Sequence, residues 1–191
     1  MAGVDEVGRG CLAGPVFSAA VILDKNINTK DIKDSKKIPF RKRIYLYNYI
    51  KKNSIYAIGS ASVKEIFEIN ILNASLLSMK RALYKLKLKP NIAYIDGLFI
   101  PKNIKIKCKA IVKGDEKNIS IAAASILAKC ERDIFMIKLS KKFPQYRWNK
   151  NFGYGTKEHL KSLKIYGITK HHRKKFKPIH HILISNKRET L

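Results

Sequence analysis

Adjacent carboxylates stand at Asp5 and Glu6, after a short apolar lead-in and before Val7 and a Gly8-Arg9-Gly10 turn. Successive strand side chains point to opposite faces, so on one strand these two acids share a site only if the strand ends or bulges there. Two carboxylates at a strand end, beside glycines that let a polymer backbone approach, form the beginning of a hard-cation site. On their own they read equally as an acidic turn after an edge strand, and the remaining ligands must come from elsewhere in the chain.

Acids are scarce here, 14 Asp and Glu against 40 Lys and Arg, so their positions carry information. Asp96 and Asp115 follow predicted strands and, like Asp5 and Glu6, lie beside glycine. Ligands of α/β sheets gather outside the carboxyl ends of strands. Clustered carboxylates repel one another unless cations neutralise them, and Mg²⁺ or Mn²⁺ suits such oxygen ligands. Each acid also has a plainer reading: Asp96-Gly97 as a turn, Asp115 as a helix cap, Asp133 as the partner of Lys129 one helical turn earlier. No other chemistry competes strongly. The pairs His171-His172 and His180-His181 lie in a basic tail and read as surface or phosphate-facing. Walker, dinucleotide and nucleophile-elbow spacings are absent.

The elements that must position these acids follow from periodicity. Strands are expected up to Asp5-Glu6, over Pro15–Leu23, Ile55–Val63, Asn91–Asp96 and Ile104–Val112, the first three antiparallel. Helices are expected over Arg41–Lys52, Lys64–Ile71, Asn73–Leu86 (with Asn73 as N-cap), Asn118–Phe143, Thr156–Leu163 and Pro178–Ser185. The pattern is an α/β layer fold. With 191 residues and 46% hydrophobic content, residues 1–191 are expected to form one domain with a real core, its C-terminal helical part spanning roughly 144–191. The formal charge of +26 draws polyanions and makes nucleic acid the expected partner, although lysine is abundant throughout. Three well-separated cysteines and no long apolar run suit a reducing, cytoplasmic setting with no membrane. A basic binding protein without catalysis would also explain the charge, but gives no reason for four acids at strand ends.

In these residues the chain resembles the bacterial type 2 ribonuclease H (ribonuclease HII) family. The matching blocks are the run from Ala2 to Val16, Asp34-Ser-Lys-Lys37, Asn70-Ile-Leu-Asn-Ala74, Asp96-Gly97 and Val112-Lys-Gly-Asp115. They continue through Ile121 to Lys129 with Arg132-Asp133, the run from Gly153 to His159, and His172-Arg173. The resemblance implies an RNase H-like fold with a central five-stranded mixed sheet flanked by helices and a helical C-terminal region. It implies hydrolysis of the RNA strand of RNA–DNA hybrids, nicking 5′ of ribonucleotides embedded in duplex DNA, with two divalent ions, Mg²⁺ or Mn²⁺. Carried onto this chain, the metal-binding and catalytic acids are Asp5, Glu6, Asp96 and Asp115, with Asp133 in support. Gly8, Arg9 and Gly10 approach the ribonucleotide 2′-OH, and Tyr154 senses the RNA-to-DNA junction. Lys36, Lys113, Arg173 and the basic tail are expected at phosphates, and the enzyme is expected to be a monomer. Phe152 stands where the family commonly has lysine, and the chain leaves no room for the extra N-terminal domain of type 3 enzymes.

Overall fold

The structure, a computed structural model, describes residues 1–32 and 38–188, with the side chains of 185–188 left aside. The expected phosphate ligand Lys36, with its Asp34–Lys37 block, lies outside the described residues. Five strands, β1 (Ala2–Val7), β2 (Val16–Leu23), β3 (Ser54–Ala61), β4 (Ile92–Asp96) and β5 (Lys107–Ile111), form one sheet in the order β3-β2-β1-β4-β5. β1 runs antiparallel to β2 (Asp5 opposite Ala19) and β2 antiparallel to β3, whereas β4 joins β1 in parallel (Val4 opposite Ile95) and β5 joins β4 in parallel. The ends of β1, β3 and β4 and the start of β2 therefore share one edge of the sheet.

Helices cover both faces. Helix α1 (Phe40–Lys52) and α4 (Ile119–Lys142) pack on the face carrying Ala19 and Val21, and α2 (Val63–Lys85) on the face carrying Ala2, Val4, Ala20 and Ala57. The small residues Ala122, Ala123 and Ala124 let α4 lie directly on β1. The approach is so close that a Cβ on Gly3 would stand 2.1 Å from the Ser120 carbonyl carbon. Asn118 caps α4 by accepting hydrogen bonds from the Ser120 and Ile121 amides at 3.0 and 3.2 Å. Asp115, offered above as a possible cap, instead belongs to the short helix α3 (Gly114–Lys117).

The two helices expected around Ile71 run as one, broken at Asn70, where φ is 64° and ψ 170°. The cap of the second part is Asn70, not Asn73: the Asn70 Oδ1 accepts from the Asn73 amide at 3.1 Å. Asn73 lies one turn inside, where its own amide is the group being capped. At the other end of this helix, Ser62 and Glu65 form a reciprocal capping box. β3 therefore stops at Ala61 and not at Val63.

A one-turn 3₁₀ segment (Pro144–Tyr146), α5 (Trp148–Asn151), α6 (Lys157–Tyr166, capped by Thr156) and α7 (Lys177–Arg188) complete the chain. Leu12, Ala13, Met136, Tyr146, Trp148 and Leu163 make a separate apolar cluster that ties this region to α4 and to the loop after β1. Among the described residues no helix is long and apolar enough to cross a membrane.

Candidate active site

Asp96 ends β4 and Asp5 lies in the neighbouring parallel β1, each one residue beyond the Val4–Ile95 pair, so the two lie side by side. Glu6 follows Asp5 in the same strand, which runs on to Val7 paired with β2 alone, because β4 has already ended at Asp96. Carboxylate oxygens of Asp5, Glu6 and Asp96 all lie within 4.8 Å of one another. The convergence that alternation alone would forbid occurs where β4 has ended and the flank of β1 beside Glu6 is left open.

Each acid is held by donors that fix its orientation. Asp5 Oδ1 accepts from the Glu6 amide at 2.7 Å, Asp96 Oδ1 accepts from the Gly114 amide at 2.7 Å, and Arg9 Nη1 stands 3.4 Å from Glu6 Oε1. Burial, then the neighbouring Glu6 and Asp96 carboxylates, push the Asp5 pKa well above the usual carboxylate range, against hydrogen bonds from Ser125 and the Glu6 amide. Burial also raises Glu6, opposed by Arg9. A buried carboxylate held up by burial and by the Glu6 and Asp96 charges marks a site with a deficit of positive charge, which a divalent cation would supply. The oxygen-only donor set fits Mg²⁺ or Mn²⁺.

The other acids are arranged differently. Asp115, half-buried, begins α3 beside Gly114 and stands outside the group of three. Asp133 is buried and pairs with Lys129 at 2.8 Å.

The loop from Gly8 to Pro15 is built around two buried arginines that composition did not reveal. Arg132, 0% exposed, donates from Nε to the Pro15 carbonyl (3.0 Å), from Nη1 to Phe152 (2.8 Å) and from Nη2 to Ala13 (3.0 Å). Gly8, at φ +95°, lies directly over it, and a Cβ there would come 2.2 Å from Nε. Gly10 differs, since a Cβ there would meet nothing within 4 Å and its surface faces outward.

Arg173, expected at a phosphate, is the second buried arginine. It is 2% exposed, and its guanidinium donates to the Gly14 carbonyl (3.0 and 2.8 Å) and to that of Arg9 (2.8 Å). Three of its five N–H donors are thus held by the loop, and burial pulls its pKa down to about 10. Arg9 and Lys113 are exposed, the latter in a left-handed conformation (φ 53°) just before Gly114. Tyr154 is 40% exposed, and its hydroxyl is hydrogen-bonded to the buried Cys11 thiol; burial and that neighbour raise it to about 12.

His172 also departs from expectation. It is 1% exposed and its Nε2 lies 3.2 Å from Nε2 of His159, which accepts from Trp148 Nε1 at 3.1 Å. Its Nδ1 accepts from the Thr169 amide at 2.9 Å. Its backbone pairs with Ala13 of the loop after β1. Burial lowers both histidines, His172 to about 3 with His159 adding to the fall. Their folded pKa values lie below the unfolded value, so their contribution is intact above about 6.5 and is lost as acidity rises toward the folded values. Each unit of pH in that window costs about 1.4 kcal/mol per neutral histidine. The urea midpoint followed by Trp148 fluorescence, the chain's one tryptophan, should fall between pH 7 and pH 5. Using Asp5→Asn protein removes the opposing titration of Asp5; a flat midpoint would show that these histidines protonate freely in the fold.

The five-stranded mixed sheet with helices on both faces, and carboxylates meeting at the ends of β1 and β4, define an α/β protein of the RNase H-like fold. The family model described as Ribonuclease HII matches residues 2–179, and the chain belongs to that family. The ribonuclease HII of Pelagibacter ubique (strain HTCC1062) is 59% identical over 183 residues, covering 96% of this chain and 98% of the relative. That of Wolbachia pipientis subsp. Culex pipiens (strain wPip) is 54% identical over 180 residues, 94% of this chain and 91% of the relative. The crystal structure of the ribonuclease H2 from Pyrococcus horikoshii OT3 superposes with a TM-score of 0.80 at 29% identity, covering 98% of each chain. The protein is an endoribonuclease that cleaves the RNA strand of RNA–DNA hybrids.

Proposed function

We propose that this enzyme also nicks duplex DNA on the 5′ side of an embedded ribonucleotide, by two-metal-ion catalysis, leaving 3′-hydroxyl and 5′-phosphate ends. The observation that carries the reading is a group of three carboxylates, from two strands, inside a chain of net charge +26. Asp5, Glu6 and Asp96 would hold two divalent ions, with Asp115 as the fourth carboxylate and Mg²⁺ or Mn²⁺ as the ion. Such ions, when bound, activate water and stabilise the leaving 3′ oxygen of an in-line displacement.

The chain's own residues do the rest. The Glu6 and Gly114 amides hold Asp5 and Asp96 in place, so their oxygens need no reorganisation when the substrate arrives. The outward backbone at Gly10, with Arg9 and Gly8, would meet the 2′-OH, the one group that separates RNA from DNA. Tyr154, fixed by Cys11 but with two-fifths of its surface open, offers a flat face to the adjoining deoxyribose. Lys113, exposed beside Gly114, would take a phosphate near the acids, and Asp133 would support the site by holding Lys129.

The test is a DNA duplex with one ribonucleotide, incubated with Mg²⁺ or Mn²⁺ and with neither. A metal-dependent nick at that residue, with extendable 3′ ends, is expected, and cuts at random sites would overturn the reading. Tyr154→Ala should lower cleavage at the single ribonucleotide about tenfold more than cleavage of a continuous hybrid, and Tyr154→Phe should restore most of the difference. Equal losses on both substrates would mean the ring only supports the fold.

A further inference from the structure

Beyond the acids and the glycine-rich loop, the same sheet edge carries a concave basic surface. A cavity of about 240 Å³ opens between the first turns of α2 and the segment before α7, lined by Val63, Lys64, Phe67, Lys170, His172 and Lys174. Lys64, Lys170 and Lys174 are exposed at its rim. Lys175 closes one side: its ammonium sits 4.3 Å over the Phe67 ring and donates to the Phe67 carbonyl at 2.7 Å. Glu68 is 3.9 Å from Lys64 in a loose, exposed pair that neutralises little.

The position of this cradle is set by the fold. Ala61 ends β3 opposite Val16, and Val16, Ala61 and Ile66 pack together with Phe176. The segment carrying Lys170 and Lys174 is stitched to the glycine-rich loop by the Arg173 amide to the Leu12 carbonyl (2.8 Å) and the Gly14 amide to the His171 carbonyl (2.9 Å). In the sheet, β3 is two strands from β1, hence on the order of 10 Å to the side. The glycine-rich loop, which follows β1 and leads into β2, lies between acids and lysines.

A protein that reads a 2′-OH must sit over the wide, shallow minor groove, where those hydroxyls are displayed. Both backbones border that groove, so the second strand has to pass to one side of the reading loop. We propose that the Lys64, Lys170 and Lys174 cradle binds backbone phosphates of the uncleaved DNA strand across the minor groove from the acids. The proposal rests on the hybrid-cleaving reading and names the second half of its substrate surface.

Fluorescence anisotropy in EDTA, with a duplex DNA carrying one ribonucleotide, tests it against the variant K64Q/K170Q/K174Q. The variant should bind at least tenfold more weakly at about 100 mM salt. The slope of log affinity against log salt should fall by about 2–3, near 0.9 for each lost phosphate contact. Neutral methylphosphonates on the DNA strand opposite the ribonucleotide should weaken the wild-type protein and leave the variant nearly unaffected. The same linkages on the ribonucleotide-bearing strand should weaken both proteins alike. Unchanged affinity with unchanged Trp148-monitored stability overturns the cradle, as do additive losses when lysines and DNA-strand charge are removed together. Hybrid cleavage by the wild-type protein is scored separately, so a failure of the cradle is distinct from a failure of the catalytic reading.

Discussion

Asp5→Asn should lose at least 1,000-fold in cleavage rate while binding the hybrid within about twofold of wild type, and it should be the more stable protein in metal-free buffer. The substitution keeps shape and one acceptor oxygen, so the Glu6 amide at 2.7 Å retains its partner. What disappears is a buried negative charge that faces Glu6 and Asp96. Its folded pKa lies above the unfolded value, so holding it ionised above that pKa costs folding free energy, and the cost vanishes once pH falls below the unfolded value. Asparagine removes the cost at every pH. A loss of 1,000-fold corresponds to about 4 kcal/mol of transition-state stabilisation, in the range expected for removing a charge from a preorganised site. Metal adds a second readout: millimolar Mg²⁺ or Mn²⁺ should raise the melting temperature of the wild-type protein by preferential binding to the folded state, and raise that of the variant much less. Rate and stability are measured on the same preparations. A variant that is both inactive and less stable would indicate that Asp5 serves the fold and leave the catalytic role to its neighbours.

The sequence made the acids visible because they were rare and stood beside glycine at strand ends; it could not show which of them meet. Asp96 converges on Asp5 because β4 lies parallel to β1 in the sheet. That pairing joins residues about ninety positions apart and leaves no mark in local periodicity. Asp115 falls outside the close group because a residue at the start of a helix is aimed by the helix axis and not by the strand before it. The elements themselves were largely legible from periodicity, with Asn118 and Thr156 standing directly before apolar stripes, whereas the alternation of β3 ran past Ser62, the residue that caps α2. The burial of Arg173 and His172 was not legible for a common reason: a basic tail suggests solvent, whereas burial there depends on a distant loop folding over it. Arg132 offered a usable clue. At helical spacing it continues the stripe of Ser125, Ala128 and Met136, and a charge on a core-facing stripe must meet polar groups inside.

Replacing Arg132 by Met should cost about 3–5 kcal/mol of stability, a third or more of what a domain of this kind possesses. Methionine fills much of the volume but offers no donor, leaving the buried carbonyl of Ala13 and the half-buried ones of Pro15 and Phe152 without their partner. Each such group costs about 1–3 kcal/mol. The three acceptors of Arg132 lie on the loop after β1 and on Phe152, two residues before Tyr154. The guanidinium is therefore the tie that keeps Gly10 and Tyr154 at a fixed separation. Gly8 provides an internal check on this geometry. In the wild-type protein Gly8→Ala suffers twice, from φ +95° and from a Cβ 2.2 Å from Arg132 Nε. In the Arg132→Met background the flexible thioether can move aside, and only the backbone strain remains. Urea unfolding followed by Trp148 fluorescence on the two single variants and the double variant should show the pair costing less than the sum, with a coupling of roughly 1–2 kcal/mol. Additive costs would mean the glycine is required by its backbone angle alone and that the arginine beneath it has room to yield.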